Sequence, residues 1–247
     1  MNKTMETQVN HVSVRSFTEQ VLSEEQIKEL VTVAQSASSS NFQQAYSIID
    51  IQEQTLREQI AELAGNQPFL AKGGNLFIFC ADVHRQSQLS KEQEIDIQKI
   101  LGGMETTLLA TIDASVAAQN MVVAAESMGL GACYIGGVRD GIVEISELLD
   151  LPEYVYPAFG LIIGYPQGEK NALKPRLPFE AVYHQNKYSQ DKKELIDQYE
   201  ETTKAYYEER SGKKENRTWG NSTVGSFVRK PRKFMKEFLN SKGFAKR

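Results

Sequence analysis

The segment His11-Val12-Ser13-Val14-Arg15 carries residues able to act on one ligand if its backbone is extended. Side chains of extended backbone alternate, so His11, Ser13 and Arg15 share one face while Val12 and Val14 turn toward a core. One cation, one hydroxyl and one imidazole over a dry backing suit a phosphate or the polar edge of a ring. A strand with ordinary solvated polar residues accounts for the same pattern. Lys174 and Arg176 bracket Pro175 in the sequence LKPRLP. The proline fixes its own φ, and with Pro178 it makes a stiff segment that could hold two cations for a phosphate. A stiff surface loop without a ligand is the simpler account of this segment taken alone. Ser38–Asn41 clusters hydroxyl and backbone donors after a helix end, or is simply a loop. Gly136 and Gly137 follow an apolar run, where missing side chains let a flat ligand approach the backbone, or make a turn.

Other chemistry is missing from the chain. It has no Walker P-loop, HExxH, GxSxG or CxxC sequence. His11, His84 and His184 stand far apart, with no metal-ligand spacing between any two. Gly129–Gly131 imitates a dinucleotide fingerprint but lacks its third glycine and follows a helical pattern instead of a strand.

The elements that must position these residues follow from periodicity. Ser23 and Gln26 have capping-box spacing ahead of an apolar stripe at Ile27, Leu30, Val31 and Ala34, which predicts a helix. A strand is expected around Tyr46–Gln52, then a second capping box at Thr55 and Glu58 and a helix to about Leu63. Leu76–Ala81 reads as a buried strand. A long helical region spans about Lys91–Met128, broken at Gly102–Gly103 and stopped by Gly129. A short strand at Ala132–Ile135, a helix from about Asp140 to Leu149 and a strand through FGLIIGYP come next. Two late helices are expected near Lys192–Glu209 and Val224–Leu239. The chain reads as one domain, 1–247, with a basic helical C-terminal extension over about 204–247.

The helix before Gly129 is apolar on more than one face, so it needs cover on several sides. One small sheet does not supply that, and a second subunit would. No signal peptide or membrane span is expected. Cys80 and Cys133 sit in apolar runs and read as buried free thiols of a reducing compartment, here the cytoplasm. Residues 1–203 hold 15 Lys/Arg against 28 Asp/Glu, a balance of −13, and residues 204–247 hold 13 against 4, a balance of +9. A basic solvated helix explains the split, as does a local positive field for a phosphorylated ligand. Nucleic acid is not expected, because the remainder of the molecule would repel it.

Taken in order, these pieces resemble the oxygen-insensitive NADPH nitroreductase and flavin-reductase family. The resemblance is carried by HVSVR (His11–Arg15), SSSNFQQ (Ser38–Gln44), GNQ (Gly65–Gln67), AAESMGLGACYIGGVR (Ala124–Arg139), FGLIIGYP and KPRLP (Lys174–Pro178). It extends through the YYEERSG…TW region and so covers essentially the whole chain. It implies an α+β fold with a central, mostly antiparallel sheet flanked by helices, in an intertwined homodimer with FMN at the interface. It implies that His11, Ser13 and Arg15 bind the flavin and its phosphate, and that Ser39 and Gln67 hold its ring and ribityl region. It implies that the backbone of Tyr134, Ile135, Gly136 and Gly137 lines the isoalloxazine, while Lys174 and Arg176 hold the phosphate. Arg210 occupies the position at which related reductases carry an arginine credited with NADPH binding. Val12 stands where the family usually has arginine, which removes one polar contact of the pattern.

The implied reaction is hydride transfer from NADPH through FMN to nitroaromatics, quinones or free flavins by a ping-pong course. The cofactor carries that chemistry, so no protein nucleophile, acid, base or metal is needed for its first half. Two other readings stand beside it: an FMN-binding storage or sensing protein with little turnover, and a flavin-free enzyme whose cations hold a sugar phosphate.

Overall fold

Four apolar runs become strands: β1 (Tyr46–Ile51), β2 (Asn75–Asp82), β3 (Gly131–Ile135) and β4 (Val155–Gly164). The computed structural model describes residues 1–168, 171–229 and 231–247. Within them the helices are α1 (Lys3–Val9), α2 (Glu24–Gln35), α3 (Gln54–Leu63), α4 (His84–Glu92), α5 (Gln98–Leu101), α6 (Met104–Ser127), α7 (Ile142–Leu148), α8 (Phe179–Val182), α9 (Lys193–Ser211), α10 (Trp219–Arg229) and α11 (Met235–Ser241). Two compact units result, Met1–Asn171 with Arg232–Arg247, and Ala172–Pro231.

The first unit holds the sheet, in the order β1-β2-β4-β3 with each neighbouring pair antiparallel. Every residue of β2 is buried, so both sheet faces are covered. Phe77, Phe79 and Ala81 join a core with α6 and α2. Leu76, Ile78 and Cys80 join another with α3 and α7, as period-two alternation requires. The strand read from Phe159 begins four residues earlier, at Val155. Pro157 conceals its first half, because an inner strand rarely accepts a residue with no N–H. The β2–β4 register shifts between Phe79 and Cys80, beside Pro157. That bulge lets Tyr156 and Ala158 face the same core as Phe159 and Leu161.

Ser23 caps α2 with both bonds of the capping box. The second expected box does not form: Glu53 is the N-cap of α3, without a side-chain bond, and Thr55 lies inside the helix. Tertiary bonds anchor that helix instead, since buried Arg57 donates to the carbonyls of Leu70, Gly73 and Gly74. The helical region before Gly129 does break at Gly102–Gly103, but it starts at His84 and has a second break at residues 93–97. Gly129, at φ +79°, ends α6. Its N–H reaches the Glu126 carbonyl (3.1 Å) and the Leu130 N–H that of Ala125 (3.0 Å), a Schellman close. By length and composition α6 could cross a membrane, yet one face lies on the sheet and carries the buried carboxylate of Asp113. It is a core helix.

Instead of one helix at Val224–Leu239 there are two, α10 and α11, with Pro231 after the first. Proline lacks the N–H that would continue the ladder and clashes with the preceding turn. α1, which the polar N-terminus concealed, is capped by the Asn2 side chain accepting from the Met5 N–H. The end of the basic segment folds into the first unit. Phe238 and Phe244 are buried there, with Phe244 against the rings of Tyr154 and Tyr156. The Arg247 carbonyl accepts from the Met104 N–H at the start of α6 (3.0 Å).

In the second unit, α9 holds the start of α10. The Thr203 hydroxyl accepts from the Trp219 N–H (3.0 Å) and the Glu200 carboxylate from the Gly220 N–H (2.6 Å). Tyr199 meets Trp219 edge to face and donates to the Pro175 carbonyl (2.9 Å).

Candidate functional site

His11–Arg15 runs beside β3, with Ser13 bridged to Ala132 in parallel and the Val14 N–H donating to the Ala132 carbonyl (3.0 Å). Val14 is buried as expected, whereas Val12 is only half-buried. The two segments fit because residue 131 is glycine: a Cβ there would lie 2.6 Å from a methyl of Val14. Arg15 is exposed. The Ser13 hydroxyl and the charge of Arg15 both act to lower the Cys133 thiol. Burial outweighs both and pushes that thiol up, which makes Cys133 packing and not a nucleophile. His11 Nδ1 lies 2.6 Å from Glu126 Oε1, a partner that sequence reasoning missed.

β3 ends on Tyr134 and Ile135, and a 3₁₀ turn opens with Gly136 and Gly137. Tyr134 is exposed, its ring edge-to-face with Phe159 at 5.4 Å and its hydroxyl donating to Gln119 (3.2 Å). Burial, then the charge of Glu126, pushes that hydroxyl up. Ile135 is buried. The two glycines differ. A Cβ on Gly137 would lie 2.2 Å from the Ala64 carbonyl oxygen and 2.5 Å from Gln67 Nε2, so the protein's own packing requires that glycine. A Cβ on Gly136 would meet only the Arg139 guanidinium, at 3.4 Å, so space is left beside a cation. Gln67 is thereby brought against Gly137, with its amide donating to the Ala64 carbonyl (2.7 Å). Arg139 and Arg232, which no local motif marks, also reach this region. The first donates to the Ala158 carbonyl (2.6 Å), and the second to the Gly136 carbonyl (3.1 Å) and Asp140 (2.8 Å). Burial, then the charge of Arg232, pushes the Arg139 guanidinium down.

Ser39 belongs to a different neighbourhood. Its hydroxyl accepts from the Gln44 N–H (2.9 Å). The Asp113 carboxylate on α6 accepts from the Ser40 and Ala45 N–H groups, both at 3.1 Å. This grip holds a strained loop in which Asn41, Phe42 and Gln44 have φ of +48°, +60° and +50°, and Phe42 is 82% exposed. Asp113 and Glu126 are thirteen positions apart on α6, so the Ser39 loop and the His11 segment are anchored roughly 20 Å apart along its axis.

The remaining candidates lie in the second unit. Lys174 Nζ and the Arg217 guanidinium both stand on the Tyr207 ring, 5.7 and 4.2 Å from its centroid. Arg176, exposed on the same loop, acts on the Tyr199 phenol, lowering it while burial raises it more. A cavity of about 220 Å³ lies among Lys174, Tyr199, Tyr207, Arg217 and Trp219. Arg210 stands in the last turn of α9, which ends at Ser211, two residues beyond the expected Glu209, with Gly212 at φ +65°. Lys213 and Lys214 follow in the loop. In the first unit, cavities of about 720 and 780 Å³ open against α6, and only the first reaches this region, at Glu126. Among the described residues no group of three or more His, Cys, Asp or Glu is placed to hold a metal ion.

Residues 9–165 match the model of the Nitroreductase family, and residues 174–247 match that of the Nitroreductase family, C-terminal domain. The chain is 44% identical to the FMN reductase (NADPH) of Bacillus subtilis (strain 168), over 100% of both chains. Among solved structures, it superposes on the NfrA1 nitroreductase from B. subtilis with a TM-score of 0.97 at 43% identity, over 99% of this chain and 100% of that one. It matches an NADPH:FMN oxidoreductase from Vibrio harveyi, complexed with NAD+, with a TM-score of 0.90 at 35% identity over 100% of both chains.

Proposed function

We propose, from the premise that this chain belongs to the nitroreductase family, that it is an FMN-dependent oxidoreductase that takes hydride from NADPH. Its acceptors are nitroaromatics, quinones or free flavins. The observation that carries this reading is the alignment of His11–Arg15 along β3, ahead of the open side of Gly136. An imidazole, a hydroxyl and a guanidinium stand beside a strand end where a flat ring can approach the backbone. That donor set suits a phosphorylated aromatic cofactor, so the residues present fit FMN.

Bound FMN would supply the redox chemistry, accepting hydride from one substrate and passing electrons to the next. The chain's part is to bind and orient. Ser13 and Arg15 bind the phosphate with charge-assisted bonds, and His11 turns a ring nitrogen to the cofactor. Gln67 and the Tyr134–Gly136 backbone place the ring, while Gly137 keeps Gln67 in register. Lys174 and Arg176 are assigned to the phosphate, and Arg210 to NADPH, on the family pattern. Ser39 is assigned to the flavin of a second copy. Its anchorage roughly 20 Å from the His11 segment along α6 and the exposed apolar residues of that helix support a homodimer. The cytoplasm suits its two buried free thiols, and its partners are NAD(P)H and small acceptors, not nucleic acid or membrane.

An absorbance spectrum taken before and after NADPH addition without oxygen tests the reading. The protein should purify yellow, with about one FMN per chain, and bleach on NADPH. Flavin that binds but resists bleaching would make the chain a store or sensor of FMN. A protein that stays colourless after incubation with FMN would overturn the assignment.

A further inference from the structure

Glu126 is a carboxylate for which the proposed electron transfer has no use. It lies in the last turn of α6, where the helix dipole disfavours negative charge, and its side chain is only 10% exposed. Burial at that end of a helix is unfavourable for an unpaired carboxylate. His11 compensates, with Nδ1 2.6 Å from Oε1 across 115 residues of sequence. The His11 side chain is the more open of the two, at 27%. The charge of Glu126 also reaches the Tyr134 hydroxyl. Glu126 therefore sits behind two residues that the flavin reading places at the cofactor.

An ionised carboxylate only accepts hydrogen bonds, so the ring that meets it through Nδ1 must carry a proton there. That bond sets the rotation of the imidazole and leaves Nε2 as the nitrogen that faces outward. We propose that Glu126 is a positioning residue that holds His11 with Nδ1–H toward the protein and Nε2 toward the cofactor. Carboxylates behind metal-bound histidines orient those rings in the same way. The identity of the ligand rests on the FMN reading, while the orientation of the ring concerns the chain alone. An ion pair that merely ties the end of α1 to α6 is the competing account.

Long-range ¹H–¹⁵N spectra of the histidine rings, recorded on the full chain without and with FMN, separate the two. In the wild type, His11 should carry its proton on Nδ1 before FMN is added, and FMN should move the Nε2 resonance most. Glu126→Leu removes the acceptor at similar size and should release the ring to sample both tautomers. Glu126→Gln keeps an amide oxygen that accepts Nδ1–H, and should retain the wild-type ring signature and most of the FMN affinity. Glu126→Leu and His11→Ala should each weaken FMN binding by about tenfold or more. The double variant should lose little beyond either one, because Glu126 acts through His11. A wild-type ring protonated on Nε2 alone, a Glu126→Leu ring unchanged from wild type, or additive losses of affinity would each overturn the proposal. Wild-type protein that takes up no FMN would instead sink the flavin reading. The ring signature without FMN, which needs no variant, would still decide the orientation of His11.

Discussion

Arg15 and Arg57 show how differently one residue type can act within the first unit. Arg57 is buried and donates to three backbone carbonyls, so its charge is committed to the fold. Arg15 is exposed beside the open end of β3. Arg15→Ala should weaken FMN binding by about one to two orders of magnitude with little change in Tm, since a bond to a charged group contributes roughly 1.5–3 kcal/mol. Arg57→Ala should lower stability by about 3 kcal/mol or more, because several buried carbonyls lose their partner. FMN titration of apo protein and thermal unfolding separate the two effects, and the reverse pattern would exchange the roles. Arg210 ends α9 in a segment of positive charge, which suits the 2′-phosphate of NADPH. Arg210→Ala should raise the KM for NADPH and leave FMN content and NADH activity nearly unchanged. Salt should also shrink any preference for NADPH, since exposed charges are screened over roughly 8–10 Å. Indifference to both would leave Arg210 as a helix-end cation. What was legible at this scale was local. The extended run of HVSVR could be read from alternation alone, and it lies along β3 with Val14 buried. Glu126 and Asp113 could not be read, because each acquires its role from residues 115 and 73 positions away.

At the scale of elements, the sequence could be read wherever one segment carried its own signal. Ser23 with Gln26 and Gly129 are such cases, and α2 and α6 start and stop on them. The reading failed where packing outweighed local preference. β4 crosses Pro157 because a bulge absorbs the missing donor, and α3 starts at Gln54, not at the Thr55 box, with Arg57 as its anchor. Pro231, whose meaning is local, could have divided α10 from α11 in advance. The pairing that matters most to the site, His11–Arg15 on β3, depends on one close approach at Gly131. Gly131→Ala places a methyl 2.6 Å from Val14 and should push the first motif away from β3, weakening FMN binding more than it lowers Tm. Val14→Ala in the same chain should restore part of the affinity by making room. If the double variant binds FMN no better than Gly131→Ala alone, the register of this segment is not what holds the site.

At the scale of the molecule, the feature still to be satisfied is the outer ridge of α6. Met104, Leu108, Ile112 and Val116 recur every four residues and are all exposed, between 39% and 58%. Residues four apart stack along one helix face, so they form a continuous apolar line about 18 Å long. The opposite face of the same helix is packed on the sheet, which explains why the sequence looked apolar on several sides. The Ser39 loop grips this helix through Asp113, next to Ile112, and presents Phe42 beyond it. An exposed apolar line of this kind marks an interface, and a second copy offers the same ridge to itself about a two-fold axis. If Ser39 serves the flavin of a second copy, its loop must meet the other chain's His11 segment there, since within one chain roughly 20 Å of helix separates their anchors. Sedimentation of the wild type should therefore give a dimer. Ile112→Asp should shift it toward monomer, because a carboxylate buried in an apolar interface is strongly disfavoured, while circular dichroism stays that of a folded chain. FMN content should fall together with the dimer fraction, and raising the protein concentration should recover both. A monomeric, folded Ile112→Asp chain that keeps a full complement of FMN would mean that each subunit completes its own site, and the Ser39 assignment would then have to be abandoned.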